Sequence, residues 1–186
     1  LDTGGLGVME ADEFYKNKPE SYQKRVKAMV IRYVATDHYT GALYVRYYEG
    51  AESAALVSDF FIAAIQAKQN EKEPFHGVPF ILILDPGSAN EAHMFKNLCR
   101  LLDVNLIVHK PKNPRAKGSV ENAQNLVECG FEARLVAVRI RSLDELNEHA
   151  GIWMRYFNGT KKHTRHGHAR YGLWQTIRRE HLRLAP

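Results

Sequence analysis

Two short segments constrain this chain more than any others. The run Phe80-Ile81-Leu82-Ile83-Leu84 is unbroken apolar, which predicts a strand buried on both faces, and it stops on Asp85-Pro86-Gly87-Ser88. Further on, Asn113-Pro114-Arg115-Ala116-Lys117-Gly118-Ser119-Val120-Glu121 predicts a basic, proline-containing loop from Lys110 to Lys117 that feeds a helix from Gly118 to about Cys129. An aspartate at the carboxyl end of a buried strand is held rigidly. A glutamate one turn into a nearby helix can point at the same spot.

Carboxylates brought that close repel each other, and each raises the other's pKa unless a cation lies between them. Hard divalent ions such as Mg²⁺ take oxygen ligands and keep positions open for water and phosphate oxygens. Two such ions about 3.5–4 Å apart can activate an attacking oxygen and stabilise a leaving one. Two acids hold a metal pair poorly, so a third is expected earlier in the chain.

The pattern along the chain supplies candidates. Alternation from Gly5 to Tyr15 predicts a first strand with Val8, Glu10 and Asp12 on one face. Val26 to Thr36 and Ala42 to Tyr48 predict a hairpin turning through Asp37-His38-Tyr39-Thr40-Gly41. Helical periodicity covers residues 51 to 69, with Leu56, Phe60, Ala63 and Ala64 on the apolar stripe. A capping box at Ser88-Ala89-Asn90-Glu91 leads a helix through Phe95, Leu98, Cys99 and Leu102, and Asn105 to His109 is a short strand. A second box, Ser142-Leu143-Asp144-Glu145, leads a helix through Leu146, Ala150, Trp153 and Phe157, and a last short helix is expected near Leu173 to Glu180. A hairpin followed by βαβ units gives a mixed sheet flanked by helices.

Glu10 and Asp12 both lie on one face of the predicted first strand, where a charge needs a reason. In the ribonuclease-H-like core that this order of elements resembles, the first acid sits mid-strand there; Asp12 has that place, with Glu10 the alternative if the register slips. Asp37 ends an apolar run, but an Asp ahead of Gly41 in a hairpin is accounted for by turn chemistry.

This order of elements resembles the ribonuclease-H-like core, and the two opening segments resemble the second and third acids of the DDE transposase and retroviral integrase family. The approach to Glu121 is similar to that family's Pro-x-x-Lys-Gly-x-x-Glu. Asp85-Pro86-Gly87-Ser88 is similar to its Asp-Asn-Gly-Ser, with Pro86 where asparagine is usual. Bacterial insertion-sequence and Mu-phage-like transposases are the nearest in pattern.

The resemblance implies a mixed five-stranded α/β sheet: three antiparallel strands, then two parallel ones. Residues 1–135 would form the catalytic core and 136–186 a helical basic extension packed on it. It implies Asp12, Asp85 and Glu121 as catalytic and metal-binding acids, with two Mg²⁺ ions (Mn²⁺ as substitute) once DNA is bound. The reaction would be phosphodiester cleavage at transposon ends and strand transfer into target DNA. Lys117 would lie beside the scissile phosphate, with Arg115 and Lys112 on the DNA backbone. Implied partners are DNA, further copies of the chain assembled on DNA and an accessory transposition protein, in the cytoplasm of a bacterial cell or phage-infected host. The alternatives are a ribonuclease-H-like nuclease that only hydrolyses and a DNA-binding module that keeps the fold without catalysis.

Charge distribution agrees with a polyanionic partner. Formal net charge is +5, and Gly151 to Pro186 holds eight Lys or Arg against one acid, Glu180. Lys161, Lys162, Arg165 and Arg170 are the expected DNA contacts there. His163, His166 and His168 in the same loop invite a zinc reading, but structural zinc wants four ligands with fixed spacing, and no cysteine is near. Cys99 and Cys129 fall at apolar helical positions and read as reduced core thiols. No apolar run is long enough to span a bilayer. A start at Leu1 without methionine reads as a piece of a longer protein.

Overall fold

The computed structural model describes the backbone of residues 2–8, 28–84, 93–108 and 114–185, and side chains within 30–84, 93–108, 121–178 and 180–185. Three strands, β1 (Asp2–Val8), β2 (Ala28–Thr36) and β3 (Leu43–Glu49), form an antiparallel sheet in sequence order. The register pairs Asp2 with Val34 and Val8 with Ala28, then Thr36 with Leu43 and Val30 with Glu49. Residues 9–15 of the expected first strand lie outside the described residues; the strand begins earlier than its expected start at Gly5. It is held by pairing with β2, because Asp2–Val8 is glycine-rich and has little β preference of its own. Glu10 and Asp12 lie outside the described residues.

The β2–β3 turn follows the sequence expectation. Asp37 Oδ2 accepts hydrogen bonds from the backbone N–H and the Oγ1 hydroxyl of Thr40, both at 2.7 Å, and Gly41 takes φ +66°.

Helix α1 (Ala54–Ile65) is shorter than the periodicity suggests because both ends are capped by side chains. Ser53 Oγ accepts from Leu56 N–H at 3.3 Å. At the other end Lys68 Nζ donates to the carbonyls of Ala63, Ala64 and Gln66 at 2.7, 2.8 and 2.7 Å. Strand β4 (Ile81–Leu84), helix α2 (His93–Leu101) and strand β5 (Asn105–Val108) follow, with β4 and β5 paired in parallel from Ile81–Asn105 to Leu84–Val108. Helix α3 (Pro114–Val127) runs into a π-helical turn (Glu128–Glu132) and α4 (Ala133–Leu135); α5 (Leu143–Thr160), α6 (Arg170–Trp174) and a 3₁₀ turn (Arg179–His181) complete the chain.

Among the described residues the strands pair as a set of three and a set of two. The expected burial of β4 on both faces is corrected. Leu84 is buried, but Ile81 is 54% and Ile83 43% exposed, so the strand has one covered face. A two-stranded sheet backed by a helix leaves alternate side chains outside.

The three-stranded sheet is covered on both faces by aromatic chains. On one face Tyr33, Phe60, Tyr44, Phe75 and Trp174 follow one another with ring centres 5.4, 5.5, 5.8 and 4.6 Å apart. On the other run Tyr47, Phe131, Trp153 and Phe157, at 6.1, 5.7 and 5.0 Å. One buried cluster extends from Val30 through Leu146 to Trp174, so the expected 1–135 and 136–186 segments share a core.

Helix α5 also closes the free edge of β3. Asn158 accepts from Leu43 N–H at 3.0 Å and donates Nδ2 to Leu43 O at 2.7 Å. Asn147 does the same at Tyr47, at 2.8 and 3.0 Å, and between them Met154 Sδ accepts from Val45 N–H at 3.3 Å. A primary amide carries the donor and the acceptor of a peptide group, so two asparagines stand in for a sixth strand along an edge that would otherwise offer unpaired backbone groups. The lengths match: eleven helical residues rise about 16 Å, and four strand residues span about 14 Å.

Candidate active site and nucleic-acid interface

The parallel β4–β5 pair ends at Leu84, the residue before Asp85. Asp85 lies outside the described residues, as do Pro86, the Ser88–Glu91 capping box and Lys112.

Helix α3 carries Glu121 and packs on β2 and β1. It begins at Pro114, four residues before the expected start, which is a correction to the loop assigned to Lys110–Lys117. Proline at the first helical position has its φ preset and lacks an N–H that would have no helical partner there anyway. Arg115, Lys117 and Glu121 are therefore all helical, and Lys117 precedes Glu121 by one turn on the same side. Glu121 is exposed.

What fixes this helix against the sheet is a buried charge cluster that sequence reasoning missed. The Arg32 guanidinium, projecting from β2, meets Glu132 at 2.6 Å and Glu128 at 2.7 Å, and Tyr47 OH donates to Glu132 Oε1 at 2.8 Å. Arg32 and Tyr47 are register partners and so share a face of the sheet. The side chains of Arg32 and Glu132 are 4% and 2% exposed. Burial disfavours the Arg32 charge, yet Glu132 and Glu128 outweigh it and its pKa is raised. Glu128 and Glu132, four residues apart on the π-helical turn, converge on one guanidinium while Phe131 is buried. Glu128 follows Glu121 by two turns, so the clamp sets the rotation of α3 about its axis. The same turn leaves Cys129 exposed, correcting its expected core position; Cys99 is buried, its pKa pushed up to about 11 by burial, and both thiols are free.

The basic tail lies at the other end of α5. Ser142 Oγ accepts from Glu145 N–H at 3.1 Å, as the capping box predicts, and Glu145 reaches back one residue further, to Arg141 N–H at 2.7 Å. After Thr160 the chain loops over the β2–β3 turn. His166 Nε2 lies 3.0 Å from Tyr39 O, and the His163 ring fills the space where a Cβ on Gly41 would sit, 2.4 Å from its Cδ2. Only glycine tolerates both that approach and the positive φ.

Lys161, Lys162 and Arg165 are exposed on this loop. Arg170 is not. It is 7% exposed, donates Nε to Gly41 O at 2.9 Å and Nη1 to Lys161 O at 2.8 Å, and lies 4.3 Å over the Phe157 ring. Its expected DNA contact is corrected accordingly: the guanidinium is spent on holding the loop to the hairpin.

Among the described residues no three His, Cys, Asp or Glu side chains converge to hold a metal ion; of the three predicted acids only Glu121 is described. The chemistry of the donor set, three carboxylates, suits a hard divalent cation. Among the described residues, no helix is long and apolar enough to cross a membrane.

No protein-family model matches the chain, and no curated protein matches it by sequence. Solved structures do match in three dimensions. A chain of the simian T-cell lymphotropic virus intasome, solved in complex with PP2A regulatory subunit B56 gamma, superposes with TM-score 0.64 at 16% identity, over 86% of this chain and 52% of that one. The present chain thus spans about half of that protein. The catalytic core domain of BIV integrase gives 0.58 at 21% identity, covering 80% and 86% of the two chains. The HTLV-2 integrase catalytic core domain, solved with magnesium, gives 0.59 at 18% identity, covering 78% and 85%. With its antiparallel strands first and a parallel pair after, the chain has the fold of the retroviral integrase catalytic cores.

Proposed function

We propose that this chain is the catalytic core of a DNA transposase or integrase, with Asp12, Asp85 and Glu121 as its three acids. The observation that carries the reading is Glu121 itself: exposed, one turn past Lys117, on a helix clamped to the sheet of an integrase-core fold. Mg²⁺, or Mn²⁺ in its place, would supply charge neutralisation at the scissile phosphate and activation of the attacking oxygen, two ions being held once DNA is bound. The three carboxylates hold that charge. Lys117 orients the scissile phosphate, and Arg115 and Lys112 hold the adjoining backbone. Water attacks at the transposon end and frees a 3′-hydroxyl, which then attacks target DNA with no covalent protein intermediate. Lys161, Lys162 and Arg165 supply further phosphate contacts, and copies of the chain assemble on the DNA.

Asp37 is left out because the turn uses its carboxylate. The test replaces Asp12, Asp85 and Glu121 singly by their amides in the full-length protein and follows Mg²⁺-dependent cleavage and strand transfer. Each should abolish both reactions while DNA binding persists, and Asp37→Asn should remain active. Activity lost in Asp37→Asn and kept in Asp12→Asn would overturn the first acid. Cleavage without strand transfer in the parent protein would leave a hydrolytic nuclease.

A further inference from the structure

The loop that carries Lys161, Lys162 and Arg165 has a feature that charge alone does not require. Two exposed tyrosine rings flank it, Tyr39 on the β2–β3 turn at 55% and Tyr156 on α5 at 51%. The loop touches both: Lys161 Nζ lies 5.9 Å from the Tyr156 ring centre and the His166 ring 4.9 Å from that of Tyr39, with Lys162 in a β-bridge with Ala169 between Lys161 and Arg170. The acid within this stretch, Asp37, has its carboxylate turned back onto Thr40. Exposed aromatic rings interleaved with cations suit a single strand of nucleic acid, whose unpaired bases stack on rings while its phosphates meet the charges. A duplex hides its base faces and would use only the cations.

Position adds to this. The β2–β3 turn stands at the end of the sheet where β1 begins. The described span of β1 reaches Val8, beside Ala28, eight strand steps from Thr36 or about 27 Å away.

The geometry points to Tyr39, His166, Lys161, Lys162, Arg165 and Tyr156 as a binding surface for an unpaired DNA strand, at the opposite end of the sheet from Val8. This rests on the reading of the basic loop as a DNA contact and is independent of the acid triad.

The test measures anisotropy of a fluorescent single-stranded oligothymidylate, and of a duplex of the same length, with the full chain in EDTA, where no metal-dependent step intervenes. The single strand should bind more tightly than the duplex. Tyr39→Ala should weaken single-strand binding at least about fivefold, Tyr39→Phe should restore it, and duplex binding should change little. The His166 bond accepts at the backbone oxygen of Tyr39, which alanine keeps, so the loop stays docked. Equal binding of both oligonucleotides, binding of neither, or a Tyr39→Ala variant that holds the single strand as the parent does would overturn the proposal. Failure of the triad reading would appear separately, as amide variants of the acids that retain cleavage.

Discussion

Replacing Asn158 by leucine tests the idea that α5 closes the edge of β3. The substitution keeps the branched shape and the number of heavy atoms and removes both hydrogen bonds to Leu43. Asn158 is fully buried and Leu43 is 1% exposed, so water cannot take over. Two orphaned backbone groups at about 1–3 kcal/mol each cost about 2–6 kcal/mol. Burying leucine in place of an amide returns roughly 1.5 kcal/mol, leaving a net loss of about 0.5–4.5 kcal/mol. For a chain of this size each kcal/mol lowers Tm by about 2–4 °C. Asn147→Leu removes the same pair of bonds at a part-buried position, where water can replace them, and should cost about 1 kcal/mol or less. Urea unfolding of the parent and both variants, compared at equal m-value, reads the difference. An Asn158→Leu variant within about 0.5 kcal/mol of the parent, or equal losses in the two variants, would refute the edge-closing argument.

Arg32→Met leaves Glu132 buried without its cation and should destabilise by about 3–5 kcal/mol, measured by the same unfolding assay; a loss below 1 kcal/mol would remove the clamp from the account of α3. Since His163 has its pKa lowered by burial and by Arg170, His166 and Arg165, it takes up its proton in the fold at a lower pH than in the unfolded chain, which gains it as pH drops through about 6.5. Its contribution to stability is therefore complete above that pH and lost below it, down to the folded pKa. The parent should lose more stability than His163→Gln between pH 7.5 and 5.5, and parallel curves would count against this.

The amino-acid sequence by itself determined most of what is local. Alternation and apolar runs marked β2 to β5, helical spacing marked α1, α2 and α5, the Asp37–Gly41 turn and the Ser142 box declared themselves in their residues, and the Lys-Gly approach marked the helix of Glu121. Each depends on backbone preferences and on which side of a short segment is apolar. Tertiary structure decided where polar atoms find partners. Asn158 meets Leu43 across 115 residues, Arg32 meets Glu128 across 96, and Arg170 meets Gly41 across 129. In sequence nothing singles out Asn158 or Arg32, and Arg170 reads as one more basic residue of a DNA-facing tail. A buried polar group must be hydrogen-bonded, but its own neighbours in sequence do not say by what. The exposed side of β4 was hidden for the same reason: an apolar strand reports that it can be covered on both faces, and only the sheet it joins determines whether it is.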